Sequence, residues 1–268
     1  MTTVLERPIV FNSLLATVAA VDDLSPHLRR VTFVAPRIAE AVTAGPDQRI
    51  KVLLAPPNGS AIKLPSGPEW YTEWCAQPVD ERFIMRTYTV RALRPGVAEL
   101  DVEFVLHGVN GPASAWVSEA ELGDQVGLLL PFAVDKTSTK GLLHSGVDYV
   151  PPATSVRRVL VADETALPAV AGILEELPAG VHATVFIAVP NAADIRSLAG
   201  SADVTWVTDG SLVDAVKSAA LPFDLDYAWV AGESSMIKEV RRHLVNTVGM
   251  PKSAISFQGY WKRGEAHC

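Results

Sequence analysis

Two periodicities divide the chain. In the first half, short β-branched runs bounded by proline, glycine and aspartate predict strands at LLATVAAVDDL (14–24), LRRVTFVAP (28–36), QRIKVLLAP (48–56), FIMRTYTVRAL (83–93) and VAELDVEFVLHG (97–108). The turn signal in RPGVAEL (94–100) predicts a hairpin between the last two. Consecutive strands without intervening helices predict a small antiparallel barrel. GPASAWVSEA (111–120) reads as a short helix with Pro112 in its first turn. KLPSGPEWYTEWCAQPVDER (63–82) reads as a long Pro-rich excursion, a candidate flap.

The second half alternates strand and helix. RRVLVA (157–162), HATVFIAV (182–189), DVTWVT (203–208), DYAWVAG (226–232) and AISFQGYW (254–261) read as strands. TALPAVAGILEEL (165–177), SLVDAVKSA (211–219) and SSMIKEVRRHLVNTVG (234–249) read as helices, the last stopping at Gly249. Regular succession of this kind implies a parallel sheet with right-handed crossovers. The expected organisation is a β-barrel domain over 1–135, a polar Pro/Gly-bearing linker over 136–156 and an open α/β domain over 157–268. Such a pairing places a ligand on the barrel, facing the carboxyl ends of the parallel strands.

Composition narrows the function. A net charge of −7 argues against nucleic acid, which calls for a basic domain. No apolar run is long enough for membrane insertion, and the N-terminus lacks a signal-peptide pattern. Cys75 and Cys268 cannot build a cysteine-ligated cluster, and His144, His182, His243 and His267 lack ligand spacing. The expectation is a cytoplasmic protein with no metal site of its own.

The candidate chemistry lies in RTYTVR (86–91), with two guanidiniums and three hydroxyls in six residues. In a strand, Arg86, Tyr88 and Val90 face one way and Thr87, Thr89 and Arg91 the other. Tyr88 offers a flat face, Thr89 a hydroxyl, and Arg86 and Arg91 forked donors suited to phosphate. About twenty residues on, Gly108 and Gly111 allow close backbone approach. Residues 111–114 open a helix whose free N–H groups favour an anion. His107 and Trp116 are candidates for the phosphate or adenine end. Platform, cationic fork and helix start together describe a flavin nucleotide site.

RTYTVR, DVEFVLHGVNGPASAW, VADETALPA, AGESSMIKEVRRHL and the terminal GYWKRG resemble the siderophore-interacting proteins. These are flavin-dependent ferric-siderophore reductases of the ferredoxin-reductase-like superfamily, and the likeness runs from about residue 10 to 264. The resemblance implies that Arg86, Tyr88, Thr89 and Arg91 hold FAD, with Tyr88 under the isoalloxazine ring; Thr87, in the same run, is counted with them. It places Gly111, Pro112 and Ala113 on the pyrophosphate, and Asp163, Thr165 and Ala166 near the flavin or adenine. Tyr260 and Trp261 close the site, while Lys51, Lys262 and Arg263 attract an anionic ferric siderophore. One departure is GLLLPFAVDK (127–136), where the family has a Gly-Pro-Arg-Gly-like turn; Lys136 is the candidate replacement for its arginine.

The electron donor reads differently from that of an ordinary dinucleotide enzyme. The first strand-to-helix turn of the second half is VADETALPA, not a glycine-rich turn. Asp163 and Glu164 stand where a pyrophosphate would sit, or cap the following helix. Similar reductases carry Cys-Gly-Pro beside the nicotinamide; here Ala231, Gly232 and Glu233 replace it. Both NAD(P)H held weakly and reduced ferredoxin stay open as donors. A general flavin electron-transfer reductase and a non-catalytic siderophore-binding flavoprotein are the competing readings. Trp70, Tyr71 and Trp74 read as packing in preference to a lid.

Overall fold

The computed structural model describes residues 9–67, 69–106, 111–133 and 146–264. Six strands form a closed antiparallel barrel: β1 (Ile9–Ser25), β2 (Leu28–Val34), β3 (Arg49–Leu54), β4 (Ile84–Arg94), β5 (Glu99–Val105) and β6 (Gln125–Ala133). Their order around the barrel is β1-β2-β5-β4-β3-β6. Alternation along each strand turns Val31, Phe33, Ile50, Val52, Leu100, Val102, Phe104 and Leu128 into a shared interior. The helix α2 (Pro112–Glu119) lies against this core through Ala113 and Val117.

The expected hairpin is present as β4–β5, closed by a 3-10 turn at Pro95–Val97. The excursion over 63–82 is more ordered than its prolines suggest. It contains a helix, α1 (Trp70–Ala76), whose Trp74 is buried with Leu53, Phe83 and Met85 and donates Nε1 to the Phe83 carbonyl at 2.9 Å. Trp74 is thus packing, while Tyr71 is 52% exposed.

The second half is a five-stranded parallel sheet of β7 (Arg157–Ala162), β8 (His182–Ala188), β9 (Ala202–Val207), β10 (Tyr227–Glu233) and β11 (Ile255–Trp261), in the order β11-β10-β7-β8-β9. The order reverses between β7 and β10, and that switch point is where such sheets bind ligands. Helix α3 (Leu167–Glu175) covers one face; α4 (Leu212–Ser218) and α5 (Ser234–His243) cover the other. The α5 chain continues as a π-turn, Leu244–Val248, and ends at Gly249 with φ 85°. Among the described residues, no helix is long and apolar enough to cross a membrane.

Buried charges fasten barrel to sheet. The Glu103 side chain of β5 is inaccessible to solvent and takes Arg30 at 2.6 Å from the barrel and Arg196 at 2.7 Å from the second domain. Asp47, just before β3, accepts the backbone N–H groups of Asp148 and Tyr149 at 2.9 Å and the Trp229 indole at 3.3 Å. Gly172 on α3 gives close approach: a Cβ there would sit 2.8 Å from the Pro46 carbonyl oxygen. The His27 ring meets Asp194 at 2.7 Å across the same boundary.

Burial pushes the Glu103 carboxyl up, but Arg196 and Arg30 outweigh it and hold the group below its ordinary value of 4.5. Its folded pKa lies below the unfolded one, so its contribution is present above pH 4.5 and is lost as pH falls through the folded value. Glu103→Ala should cost about 3 kcal/mol, the low end for breaking a buried ion pair, because both arginines keep some solvent access. Urea unfolding at neutral pH should show this loss, and the gap to wild type should narrow as pH falls below 4.5.

Candidate functional site

The RTYTVR run occupies the middle of β4, paired with β3 as Arg86–Val52, Thr87–Lys51, Tyr88–Ile50 and Thr89–Arg49. Residues opposite one another share a face. Arg86 and Tyr88 therefore lie on the side of core residues Val52 and Ile50, and Thr87 and Thr89 lie outside with Lys51 and Arg49. The Tyr88 ring sits 4.3 Å from Phe104, which is 5.8 Å from Trp116 on α2. One aromatic chain thus links β4 to the middle of α2. Burial raises the Tyr88 hydroxyl well above the ordinary tyrosine range, so it stays protonated.

On the outer face, Lys51 Nζ donates to Thr87 Oγ1 at 2.6 Å. Burial, with help from Arg49, lowers the Lys51 pKa. Thr89 is buried, and its Oγ1 faces the Tyr260 hydroxyl from β11, which is buried too; no other group among the described residues holds either. The strand that brings Tyr260 to the barrel runs on into Lys262 and Arg263. Arg86 donates Nη1 to the Met85 carbonyl at 2.9 Å and has no carboxylate partner among the described residues.

Four expected cofactor residues, Arg91, Trp116, Ala113 and Ala166, have contacts within the protein. A bulge between Val90 and Ala92 shifts the register, and Arg91 is held by Glu175 of α3 at 2.5 and 2.9 Å and lies 3.4 Å from Glu103. Arg91 thus joins the domains instead of pointing into an open site. Trp116 is stacked on Phe33, with ring centroids 6.3 Å apart and 18° between planes. Ala113 and Ala166 are buried in the two cores, leaving little side-chain surface for a cofactor. His107 and Lys136 lie outside the described residues.

The helix starts differ in a way that sets their chemistry. Gly111 precedes α2 in extended backbone, no side chain caps the helix among the described residues, and no acid occupies its first turn. A Cβ at Gly111 would meet nothing within 4 Å. In the second domain, carboxylates cap the turn leading into α3 and the start of α5. Asp163 accepts from Thr165 N at 3.0 Å and from the Thr165 hydroxyl, capping the turn before α3. Glu233 caps α5, accepting from Ser235 N at 2.6 Å and Met236 N at 2.9 Å.

Asp163 does more than cap. Its other oxygen accepts Glu233 N at 2.7 Å and Trp261 Nε1 at 2.8 Å, tying the ends of β7, β10 and β11 together. Burial still dominates and raises its pKa. Gly232, at φ 135°, makes room: a Cβ there would lie 2.4 Å from Asp163 Oδ2. Glu164 is raised to about 7, first by burial and then by Asp163, so it exchanges a proton near neutrality. Glu175, Glu103 and Asp47 were not among the sequence candidates. Their partners are distant in the chain, and only acids inside or beside apolar runs marked them.

Among the described residues, a helix start with no side-chain cap, a guanidinium without a carboxylate, an aromatic platform and two hydroxyls facing each other form a set that fits FAD. Residues 17–135 match the siderophore-interacting FAD-binding domain family, and residues 156–264 match the siderophore-interacting protein family. Ferric vibriobactin reductase ViuB of Vibrio cholerae is 29% identical over 68% of this chain and 66% of its own. The mycobactin import ATP-binding/permease protein IrtA of Mycolicibacterium smegmatis is 28% identical over 94% of this chain, which spans 26% of IrtA. The crystal structure of a siderophore utilization protein from T. fusca is 27% identical, covers 97% of this chain and 98% of its own, and superposes with a TM-score of 0.77. By its sequence in both domains and by its fold, the chain belongs to the siderophore-interacting protein family.

Proposed function

We propose that this chain is a flavin-dependent reductase that carries electrons to Fe(III) in a ferric siderophore and releases Fe(II). The observation that carries the reading is a contrast in helix starts: among the described residues no side chain caps α2 of the barrel, while carboxylates cap the turn into α3 and the start of α5. The name of the ViuB relative supports the substrate class. FAD, when bound, would supply two electrons that leave one at a time.

This chain's residues divide the remaining work. The α2 start and Arg86 would hold the pyrophosphate, Tyr88 would support the ring, and Thr89 with Tyr260 would offer hydroxyls to it. Lys51, on the outer face beside Thr87, and the Lys262–Arg263 end of β11 would draw in an anionic ferric complex. A siderophore's hard oxygen ligands favour Fe(III), and lowering the metal charge weakens the complex and frees the iron. No acid–base pair is required for the electron to move.

Arg86→Ala combined with Tyr88→Ala should give folded but colourless protein. Arg86→Ala alone should weaken FAD by about tenfold or more, from the roughly 1.5–3 kcal/mol of a charged hydrogen bond. Full flavin retention in the double variant would overturn the site.

The reaction itself is tested anaerobically: the bound flavin is reduced chemically, ferric hydroxamate or ferric catecholate is added, and Fe(II) is trapped. Rapid reoxidation with two Fe(II) per flavin is expected. A flavin that stays reduced with every ferric chelate would overturn the reading. If those chelates nevertheless bind tightly, the protein is a carrier; if they do not, the general reductase remains.

Asp163 and Glu233 bear on the choice of donor. With both helix starts at the switch point closed, NAD(P)H is held weakly there and reduced ferredoxin competes as donor. Steady-state assays with NADH and NADPH should give KM values at or above about 1 mM, the top of the usual range. A KM in the low micromolar range would contradict this.

A further inference from the structure

The outer face of α5 carries a second, separate concentration of positive charge. Lys238, Arg241 and Arg242 stand three and four residues apart on one helix face, and Lys252 joins them from the loop before β11. With Asn246 and Phe257 they line a concavity of about 260 Å³. None of the four cations has a carboxylate partner among the described residues, although acids outnumber bases in the chain as a whole. Glu239, the acid within α5, lies 3.6 Å from Lys217 of α4.

Arg241 is the informative one of the four. The Arg241 guanidinium lies over the Phe257 ring, 4.6 Å from its centroid, which fixes the plane of its donors. Its Nε is buried and has no hydrogen-bond partner among the described residues. A buried donor of this kind calls for an acceptor. The attraction of cations to a helix C-terminus accounts for Arg241 and Arg242, but not for Lys238 a turn earlier or for Lys252 outside the helix. Like charges converging on one hollow repel unless something anionic sits among them.

We propose that this concavity binds a compact oxyanion of phosphate chemistry carrying at least two charges, either free or as the phosphate end of a nucleotide. It is distinct from the flavin site. Arg241 lies roughly 10 Å along α5 from the Glu233 end, beside the edge strand β11. Arg241 supplies the fixed fork, and Lys238, Arg242 and Lys252 supply mobile ammonium and guanidinium groups around it.

The test uses the full flavin-loaded chain, so that the flavin site is filled. Inorganic pyrophosphate, ADP and adenosine are titrated by calorimetry at about 0.15 M salt. Saturable pyrophosphate binding is expected, weakened about tenfold or more by Arg241→Gln and by Lys252→Gln and unchanged by Lys51→Gln. Lys252 is exposed, so its variant keeps the fold even if Arg241→Gln does not. ADP binding tighter than pyrophosphate, with adenosine silent, identifies a nucleotide; equal binding identifies the free oxyanion. No saturable binding of pyrophosphate or ADP, or binding that both variants leave intact, would overturn the proposal.

Discussion

Asp163 sits buried at the end of β7 because four protein donors converge on its two oxygens. An isolated carboxylate in that place would be costly; hydrogen bonds of roughly 1.5–3 kcal/mol each to a charged group recover part of that cost, though burial still prevails. The donors come from the turn after β7, the end of β10 and the Trp261 indole on β11. One side chain therefore sets the carboxyl edge of the sheet and places the aromatic end of the chain. Gly232 exists in this role because nothing larger fits beside the carboxylate. Tyr260, one residue before Trp261, reaches Thr89 on the barrel from the strand that Asp163 anchors.

The domain boundary is fixed by the same kind of interaction, repeated. Glu103 gathers arginines from both domains, Asp47 pins residues 148 and 149 and the Trp229 indole, and Asp194 takes His27. Each is an acid on one side of the boundary with donors on the other. A buried ion pair such as that of Glu103 adds little net stability against an apolar alternative, but breaking it leaves a charge stranded. Their effect is on geometry: they fix where the outer face of β3 and β4 stands relative to β11. That face carries Lys51, Thr87 and Thr89.

Local pattern made most of the fold legible. The β-branched runs of the first half and the strand–helix succession of the second each became the element their periodicity implies. Where pattern failed, the cause was tertiary. The seven residues of α1 are too few for helical periodicity and are flanked by prolines, and it is the buried Trp74 that orders them. The alternation along RTYTVR holds as far as Val90 and fails at a bulge with no glycine to announce it. Arg91 looked like a phosphate ligand because its partner Glu175 lies 84 residues away in the chain. Trp116 sits where α2 needs a ring against Phe33. Asp163 was legible as a cap, since an acid before a helix start is a local signal; its bonds to β10 and Trp261 were not.

The closed helix starts bear on how such a fold can be redirected. A dinucleotide-binding sheet leaves the first helix start after the switch-point strand open, so that pyrophosphate can use its N–H groups and dipole. Here a covalently attached carboxylate already uses that position, and a second one caps α5 across the switch point. An incoming phosphate would have to displace an intramolecular competitor held by four hydrogen bonds, and would meet the charge of Glu233 beside it. Removing Asp163 would not convert the crevice into a dinucleotide site. The same carboxylate holds Glu233 and Trp261 in place, so its loss would loosen the aromatic end of β11 before it opened the helix. Capping of the turn before α3 and placement of Tyr260 are thus one feature of the same carboxylate.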